Sequence, residues 1–222
     1  MSKVLAIVSG GLDSVTLLHY LRKRENAEVT VLTFAYGQKH VKEIQYAKYH
    51  TALLACEDHQ IIDLSLLAPA FDGSALVSAN ISIPNVSAVL GDPQPLPYVP
   101  CRNLIFLAIA SAYAEGWDIT EIYYGAQRHD VYGYWDTTPQ FLERLNALLV
   151  LNRKHSIHIS APFMHLSKAD ILRLGIELKV DFAATWSCYH GNAEACGTCL
   201  TCAERLQAFD EVGIADPIMY RR

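Results

Sequence analysis

The chain has 222 residues, of which 51% are hydrophobic and 18% are charged, a composition that favours a folded domain and argues against intrinsic disorder. The net charge is −5 and no run of Lys and Arg occurs, so a nucleic-acid-binding surface is not expected. Neither a signal-peptide pattern nor an apolar run of membrane-spanning length is seen, so we expect a cytoplasmic protein that contacts no membrane.

Short apolar runs alternate with longer segments of helical period. The elements predicted in chain order are strand 4–8, helix 14–24, strand 29–34, helix 41–55, strand 59–64, helix 103–115, strand 121–125, helix 140–151, strand 157–161 and helix 168–178. Uninterrupted apolar strands that alternate with helices indicate an α/β fold, a parallel five-stranded sheet with helices on both faces. Ligands in such folds bind beyond the carboxyl ends of the strands.

Residues 65–102 interrupt this alternation. They show little regular pattern, and prolines crowd the stretch "GDPQPLPYVPCRN". A loop of this length inside a compact domain is a lid, a binding loop or a disordered segment. Because it ends in an Arg-Asn pair directly before a helix, we expect a functional loop.

The stretch "SGGLDS" joins the first predicted strand to the first predicted helix. Gly10 and Gly11 allow a sharp turn and let backbone N–H groups approach a ligand. Ser9 and Ser14 add hydroxyl groups, and the positive end of the helix dipole favours an anion, so the turn predicts a phosphate site. Asp13 fits there if it accepts backbone N–H groups or helps to hold Mg²⁺. The alternative is an ordinary glycine turn with a Ser or Asp cap, because neither the Walker motif nor G-x-G-x-x-G is matched.

Four cysteines near the C-terminus follow the spacing C-x7-C-x2-C-x2-C, namely Cys188, Cys196, Cys199 and Cys202. Four thiolates this close together can form a closed tetrahedral site, which is typical of structural Zn²⁺. An iron–sulfur cluster is one alternative, but the Cys-Pro that completes the ferredoxin run is missing. Disulfides are the other alternative, and a reducing compartment disfavours them. No role is assigned to His190 beside the cluster or to His129.

In its position between strand and helix, "SGGLDS" resembles the pyrophosphate loop of the N-type ATP pyrophosphatases. Nearly the whole chain resembles the 7-cyano-7-deazaguanine synthase family of that group, through "FAYGQKH", "VPCRN", "GYWD", "LSKADI", "TWSCYHG", "CGTCLTC" and "DPIMY". The resemblance implies an adenine nucleotide α-hydrolase-like fold, with an ATP-pyrophosphatase domain over 1–180 and a zinc-binding segment over 181–222 packed on it. It also implies a homodimer with small-molecule substrates.

The implied reaction converts 7-carboxy-7-deazaguanine and ammonia into the nitrile, through an acyl adenylate and an amide, with two molecules of ATP. The implied phosphate ligands are Ser9, Gly10, Gly11, Leu12, Asp13 and Ser14. Mg²⁺ would offset charge on the leaving pyrophosphate. Arg102 and Lys168 are the candidate catalytic cations together with Asp13; a loop-end salt bridge and an exposed first-turn charge are the alternatives for the two cations.

A deazaguanine presents a ring N–H beside an exocyclic amine, which carboxylates and amides can read. The candidate substrate residues are Tyr36, Gln38, Asn103, Asp130, Tyr134 and Asp136. The two tyrosines are candidates for stacking on the ring, and solvated turn residues are the alternative for this set.

The chain departs from the family pattern where the deazapurine is expected. The family carries Gly-Tyr-Pro-Asp-Cys, whereas this chain has Trp135 in place of the proline and Thr137 in place of the cysteine, and it adds Arg128 and His129 nearby. A second hypothesis is therefore a relative that transfers the activated acyl group to another amine on a protein or nucleic acid. A third is a non-catalytic nucleotide-binding partner. A fourth, tRNA thiolation, would need a sulfur-carrying cysteine and a basic surface, and neither is evident.

Overall fold

The computed structural model describes residues 2–56, 58–92, 94–128 and 134–221. Their strands form a single five-stranded sheet. The strands are β1 (Lys3–Ile7), β2 (Glu28–Ala35), β3 (His59–Asp63), β4 (Glu121–Tyr123) and β5 (His158–Ser160). The helices are α1 (Leu12–Lys23), α2 (Glu43–Leu53), α3 (Ala68–Phe71), α4 (Arg102–Gly116), α5 (Pro139–Leu149), α6 (Lys168–Glu177) and α7 (Leu200–Val212). Every predicted element is present, with ends within two residues of the prediction.

All strands pair in parallel in the order β3–β2–β1–β4–β5. Side chains of β1 alternate between two cores. Ala6 packs with Leu17 of α1 and Leu172 of α6 on one face, whereas Leu5 packs with Leu107 of α4 on the other. Helices therefore cover both faces, and the predicted fold class is confirmed.

The chain crosses from one side of β1 to the other between β3 and β4, so the strand order reverses beside β1. Side chains and loops at the carboxyl ends of β1, β2 and β4 surround a crevice there. This is the location where open parallel sheets bind ligands.

The segment before α4 is folded onto the sheet, which excludes the disordered alternative for its described residues. Phe71, Leu76 and Val99 are buried in the core beneath α4. Farther along, the Val86 N–H donates to the Thr198 carbonyl at 2.9 Å, which ties the segment to the turn that precedes α7.

No helix was predicted for 200–212, where the cysteine motif dominates the sequence, yet α7 is there. Ala208 and Phe209 of α7 join the core that α1 and α6 form, so the helix is fixed by burial at its far end. Within the described ranges, no helix combines the length and apolarity that crossing a bilayer requires.

Candidate functional site

The glycine loop, residues 9–14, is held in shape by its own serines. Ser14 Oγ accepts the N–H of Ser9 at 3.1 Å and that of Gly10 at 3.3 Å, and it lies 3.2 Å from the Gly11 carbonyl, to which it can donate. Gly10 has φ +101°, and a Cβ there would overlap the Glu43 carbonyl oxygen. The turn therefore requires glycine at this position.

The first turn of α1 opens into the crevice without a capping side chain. Gly11 is the N-cap residue and no side-chain cap bond is formed. The Ser or Asp cap of the alternative interpretation is thus not observed. The N–H groups of the first helical turn remain available to an anion, and the helix dipole adds positive potential.

Lys168, the first residue of α6, lies against the loop. Its Nζ is 2.8 Å from Asp13 Oδ2 and 4.0 Å from Glu204 Oε2 of α7. Burial lowers the pKa of Lys168, but the carboxylates of Asp13 and Glu204 more than offset this, so the net shift is upward and the ammonium is retained. Asp13 therefore accepts a hydrogen bond from an ammonium group, and its buried Oδ1 has no hydrogen-bond partner among the residues that the structure describes.

Arg102, the first residue of α4, lines the opposite side of the crevice. Burial opposes its charge, but Tyr36, Tyr189 and Asp136 raise the pKa of Arg102 above its usual value, and Tyr36 is also its hydrogen-bond partner. Cys101 before it adopts a left-handed φ of +54°, which turns the chain sharply into the helix. Arg102 and Lys168 thus bring two cations to the two sides of one site.

A cavity of about 260 Å³ lies between these groups. It is lined by ten of the predicted site residues, namely Ser9, Gly11, Leu12, Asp13, Ser14, Tyr36, Arg102, Asn103, Tyr134 and Lys168. Residues from the loops after β1, β2 and β4 and from the starts of α4, α6 and α7 therefore meet at one point, although they are far apart in the sequence.

Three of the remaining predicted residues are placed differently. Gly10 supports the turn behind the cavity wall. The Gln38 amide faces inward, where it accepts the Tyr36 N–H at 2.8 Å and donates to the Phe34 carbonyl at 3.1 Å. Asp136 accepts the Asn103 N–H at 2.9 Å and lines a smaller neighbouring pocket. Asp130, like His129, lies outside the described residues.

The cavity wall also contains charged and aromatic residues that the sequence analysis did not select. Glu43 of α2 and Glu204 of α7 contribute carboxylates, and Tyr189 contributes a phenol. Glu43 lies in the first turn of the helix after β2, the position from which helices of this fold reach the ligand crevice, so its position in the sequence could have identified it. Glu204 lies in a helix that was not predicted.

The four cysteines converge beside the start of α7. The Sγ atoms of Cys188, Cys196 and Cys199 and a ring nitrogen of His190 lie within 4.8 Å of one another. Cys202 Sγ is 3.9 Å from Cys196 Sγ. Backbone N–H groups donate to sulfur in the cluster, from Cys196 to Cys188 Sγ at 3.3 Å and from Cys199 to Cys196 Sγ at 3.2 Å. The predicted cysteines form a candidate metal site, with His190 as a further donor at its edge.

Electrostatics of the cysteine cluster suit a bound cation. Hydrogen bonding with Cys199 raises the pKa of Cys188 to about 11, and contact with Cys188 and Cys199 raises the pKa of Cys202, whereas that of Cys199 is lowered. Only some of the sulfurs can thus be thiolates at neutral pH unless a positive charge is bound among them. A bound metal ion would supply that charge.

Comparison with known proteins identifies the family. The family model described as "Queuosine biosynthesis protein QueC" matches residues 3–213. The chain belongs to the QueC family. It is 39% identical over 220 residues to the 7-cyano-7-deazaguanine synthase of Pseudoalteromonas atlantica, with 99% of each chain covered. It is 40% identical over 230 residues to the protein of the same name from Picrophilus torridus, with 99% of this chain and 92% of the relative covered.

These relatives are named 7-cyano-7-deazaguanine synthase, an enzyme of the ligase class. The family description assigns the family to queuosine biosynthesis. Solved structures agree on the fold. The U34-tRNA thiolase NcsA of Methanococcus maripaludis, solved with its [4Fe-4S] cluster, has a TM-score of 0.52 at 14% identity and covers 95% of this chain and 64% of its own. A predicted subunit of tRNA methyltransferase from Methanocaldococcus jannaschii has a TM-score of 0.52 at 14% identity. The match covers 100% of this chain and 93% of that protein. At this identity the likeness concerns the fold alone.

Proposed function

We propose that this QueC family member is an ATP-dependent ligase that converts 7-carboxy-7-deazaguanine and ammonia into 7-cyano-7-deazaguanine. The observation that carries the proposal is that the glycine loop, Lys168 and Arg102 line one cavity at the start of α1. Such a cavity can bind the phosphates of ATP beside an acid and neutralise the charge that develops between them.

In the first step, an oxygen of the substrate carboxylate attacks the α-phosphorus of ATP. The bond between that phosphorus and the oxygen that bridges it to the β-phosphate breaks. Pyrophosphate leaves, and the acyl adenylate remains. N–H groups of the loop and the Ser9 hydroxyl would hold the phosphates, and Lys168 would offset negative charge on the leaving group. The buried Asp13 Oδ1 is an oxygen donor of the kind that Mg²⁺ prefers. When bound, Mg²⁺ would supply further charge neutralisation on the pyrophosphate.

In the second step, ammonia attacks the acyl carbon, loses a proton and displaces AMP, which leaves the primary amide. The amide oxygen then attacks the α-phosphorus of a second ATP and releases a second pyrophosphate. Loss of AMP and of the remaining N–H protons forms the nitrile. The same loop and cations would serve both adenylations, because each one develops negative charge on a leaving pyrophosphate at the same position in the site.

We also propose that the cysteine cluster holds a structural Zn²⁺. A tetrahedral ion with Zn–S bonds of about 2.3 Å separates its sulfur ligands by about 3.8 Å. The 3.9 Å between Cys196 and Cys202 agrees with this spacing. The thiolates of a four-iron cluster bind at the corners of a cube and are farther apart, so the spacing favours zinc. Four protein ligands leave no open position for a reacting water.

The test is incubation of the protein with ATP, Mg²⁺, ammonium and 7-carboxy-7-deazaguanine, with the product mass and pyrophosphate measured together. We expect the nitrile and two pyrophosphates per nitrile. Pyrophosphate with accumulation of adenylate or amide, and no nitrile, would favour transfer of the acyl group to another amine. Thr137, which replaces the family's cysteine, lines the cavity and is the observation behind that second candidate. The absence of pyrophosphate would overturn both.

A further inference from the structure

Three carboxylates of the described residues line the cavity, and two of them contact a cation. Asp13 is 2.8 Å and Glu204 is 4.0 Å from Lys168 Nζ. Glu43 has no Lys or Arg within ion-pair distance in the described part of the chain. Its Oε1 is 3.5 Å from His40 Nε2, and His40 is kept neutral because burial lowers the pKa of His40 to about 3. Glu43 is thus the one of these three carboxylates without an ion pair to Lys or Arg among the described residues, although the charge of Arg102 across the cavity acts on it at longer range.

The Glu43 carboxylate is fixed in orientation on one side only. Gln38 Nε2 donates to Oε1 at 3.3 Å, and Gln38 itself is anchored by the backbone of Phe34 and Tyr36. No described residue donates a hydrogen bond to Oε2, although Glu43 is part of the cavity wall. Burial raises the pKa of Glu43 to about 8, more than the hydrogen bond from Gln38 and the charge of Arg102 lower it, so further donors would be needed to stabilise the ionised form. A ligand with N–H groups would supply them.

The neighbouring wall is suited to a flat ring. Phe34 and Phe106 stack with ring centroids 4.2 Å apart, and Tyr36 lies 5.5 Å from Phe106. All three line the same cavity as Glu43. Aromatic side chains beside a hydrogen-bond acceptor are the combination that binds a heterocycle by its face and its edge.

The hydrogen-bonding groups at the ring edge distinguish the two heterocycles of the proposed reaction, the 7-deazaguanine of the acid and the adenine of ATP. A 7-deazaguanine presents a ring N–H next to an exocyclic amine, and both groups donate to a carboxylate. Adenine presents an amine next to a ring nitrogen that accepts, which an ionised carboxylate repels. The two adjacent N–H donors of the deazaguanine instead stabilise the ionised form of Glu43. We propose, on the basis of the proposed function, that Glu43 is a specificity-determining residue that accepts the ring N–H and the exocyclic amine of the deazapurine acid.

Binding to the metal-loaded protein tests this assignment without turnover. Calorimetry would measure 7-carboxy-7-deazaguanine and ATP with Mg²⁺ separately, on the unaltered protein, Glu43→Gln and Glu28→Gln. Glu28 is an exposed residue at the opposite end of β2 and serves as the matched control. We expect Glu43→Gln to weaken deazapurine binding about 10- to 100-fold, as for loss of a charge-assisted pair, with ATP affinity unchanged. Glu28→Gln should change neither affinity. Retained deazapurine affinity in Glu43→Gln, or lost ATP affinity with deazapurine binding intact, would overturn the proposal.

A second measurement does not depend on how the variant folds. The analogue of the acid that lacks the exocyclic amine should bind the unaltered protein about 10-fold more weakly than the acid itself, because one N–H donor is gone. Glu43→Gln should discriminate less between the two ligands. Equal discrimination in both proteins would reject Glu43 as the reader while leaving the proposed function standing. Failure of the unaltered protein to bind the acid at all would instead reject the proposed function.

Discussion

The glycine loop and the cysteine cluster lie side by side but are stabilised in different ways. In the loop, hydrogen bonds within the protein hold the shape, chiefly through Ser14 Oγ. In the cluster, the sulfurs stand about as close as ligands of one ion and raise the pKa of Cys188 and Cys202. The loop is therefore preformed by the fold, whereas we expect the cluster to need a bound cation to complete it.

Contacts connect the two regions. Cys199 is the N-cap of α7. Glu204, five residues later, lies 4.0 Å from Lys168, which pairs with Asp13 of the loop. The Trp186 N–H, just before the cluster, donates to the Gly10 carbonyl at 3.1 Å. Loss of the metal should therefore disturb the loop, whereas damage to the loop leaves the four proposed ligands in place and should lower the metal affinity by no more than the same coupling energy.

The largest effect is expected from Cys202→Ser, which removes one proposed zinc ligand. The variant should lose its zinc and about 5 kcal/mol of stability or more, because binding of a structural zinc stabilises only the folded state. The measurements are zinc content by mass spectrometry and the midpoint of thermal unfolding, expected to fall by about 10 °C or more.

His190→Ala is the matched control, because His190 lies at the edge of the cluster and is not one of the four sulfur ligands. We expect it to retain zinc. If His190→Ala lost the metal and Cys202→Ser kept it, the ligand set would be three cysteines and a histidine.

Substitution within the loop should act next most strongly, and only at one of its two glycines. Gly10→Ala would place a Cβ against the Glu43 carbonyl at a left-handed φ, so we expect a loss of about 3 kcal/mol and of ATP binding. In Gly11→Ala the new Cβ would be 3.4 Å from Ser9 Oγ, an ordinary contact, so stability should change by less than about 1 kcal/mol. Urea unfolding measures both, and zinc content should stay unchanged in both. Equal losses in the two variants would contradict the strain argument.

Lys168→Met should slow the reaction more than it affects folding. Pyrophosphate release should fall by about 100-fold or more, since one charge that stabilises the leaving group is gone. Lys154→Met, at an exposed position, is the control. An unchanged rate of pyrophosphate release in Lys168→Met would show that Lys168 acts only as a structural partner of Asp13.

The parts of the site that follow from residue chemistry and spacing alone are those built from contiguous residues, whereas the distant Arg102 and Lys168 were selected through the family resemblance. The loop and the cluster each follow from a short motif, because spacing alone brings their backbone N–H groups or sulfurs together. Glu43 and Glu204 were missed because their role depends on which helices reach the crevice. Gln38 was expected to read substrate, but its amide is used by the backbone of β2, and Asp136 receives the N–H of Asn103 at the start of α4. Such competing partners appear only once distant elements pack together.

The predicted domain boundary also shows that local sequence patterns do not reveal how distant elements pack together. The boundary between 1–180 and 181–222 follows the change from strand–helix alternation to a cysteine motif. In the fold, Phe209 of the second segment packs in the same core as α1 and α6. Sequence composition records the change in local chemistry, whereas burial of Phe209 depends on the tertiary arrangement of α7.

The smallest effect on stability is expected from two buried histidines. They connect α1, the helix that follows the glycine loop, with the residues that precede the cysteine cluster. His19 Nε2 of α1 lies 3.0 Å from His50 Nδ1 of α2, and His50 Nε2 lies 2.9 Å from the Ala184 carbonyl. Both histidines are fully buried. Burial lowers the pKa of His19 to about 3 and also lowers that of His50, so the folded protein holds this pair neutral.

Acid should therefore weaken this connection before it protonates the folded pair. The unfolded chain takes up protons at these histidines below about pH 6.5, so their contribution is complete above that pH and is lost as the pH falls toward 3. At pH 5 the loss is about 2 kcal/mol for a histidine that stays neutral when folded. Urea unfolding of the unaltered protein and of His19→Gln between pH 7.5 and 5 isolates the effect, since both contain the same cysteine cluster and carboxylates. We expect a shallower decline for His19→Gln and an unaltered slope for His158→Gln, an exposed control on β5. Parallel curves for all three proteins would mean that the buried pair takes up protons in the folded state as readily as in the unfolded chain.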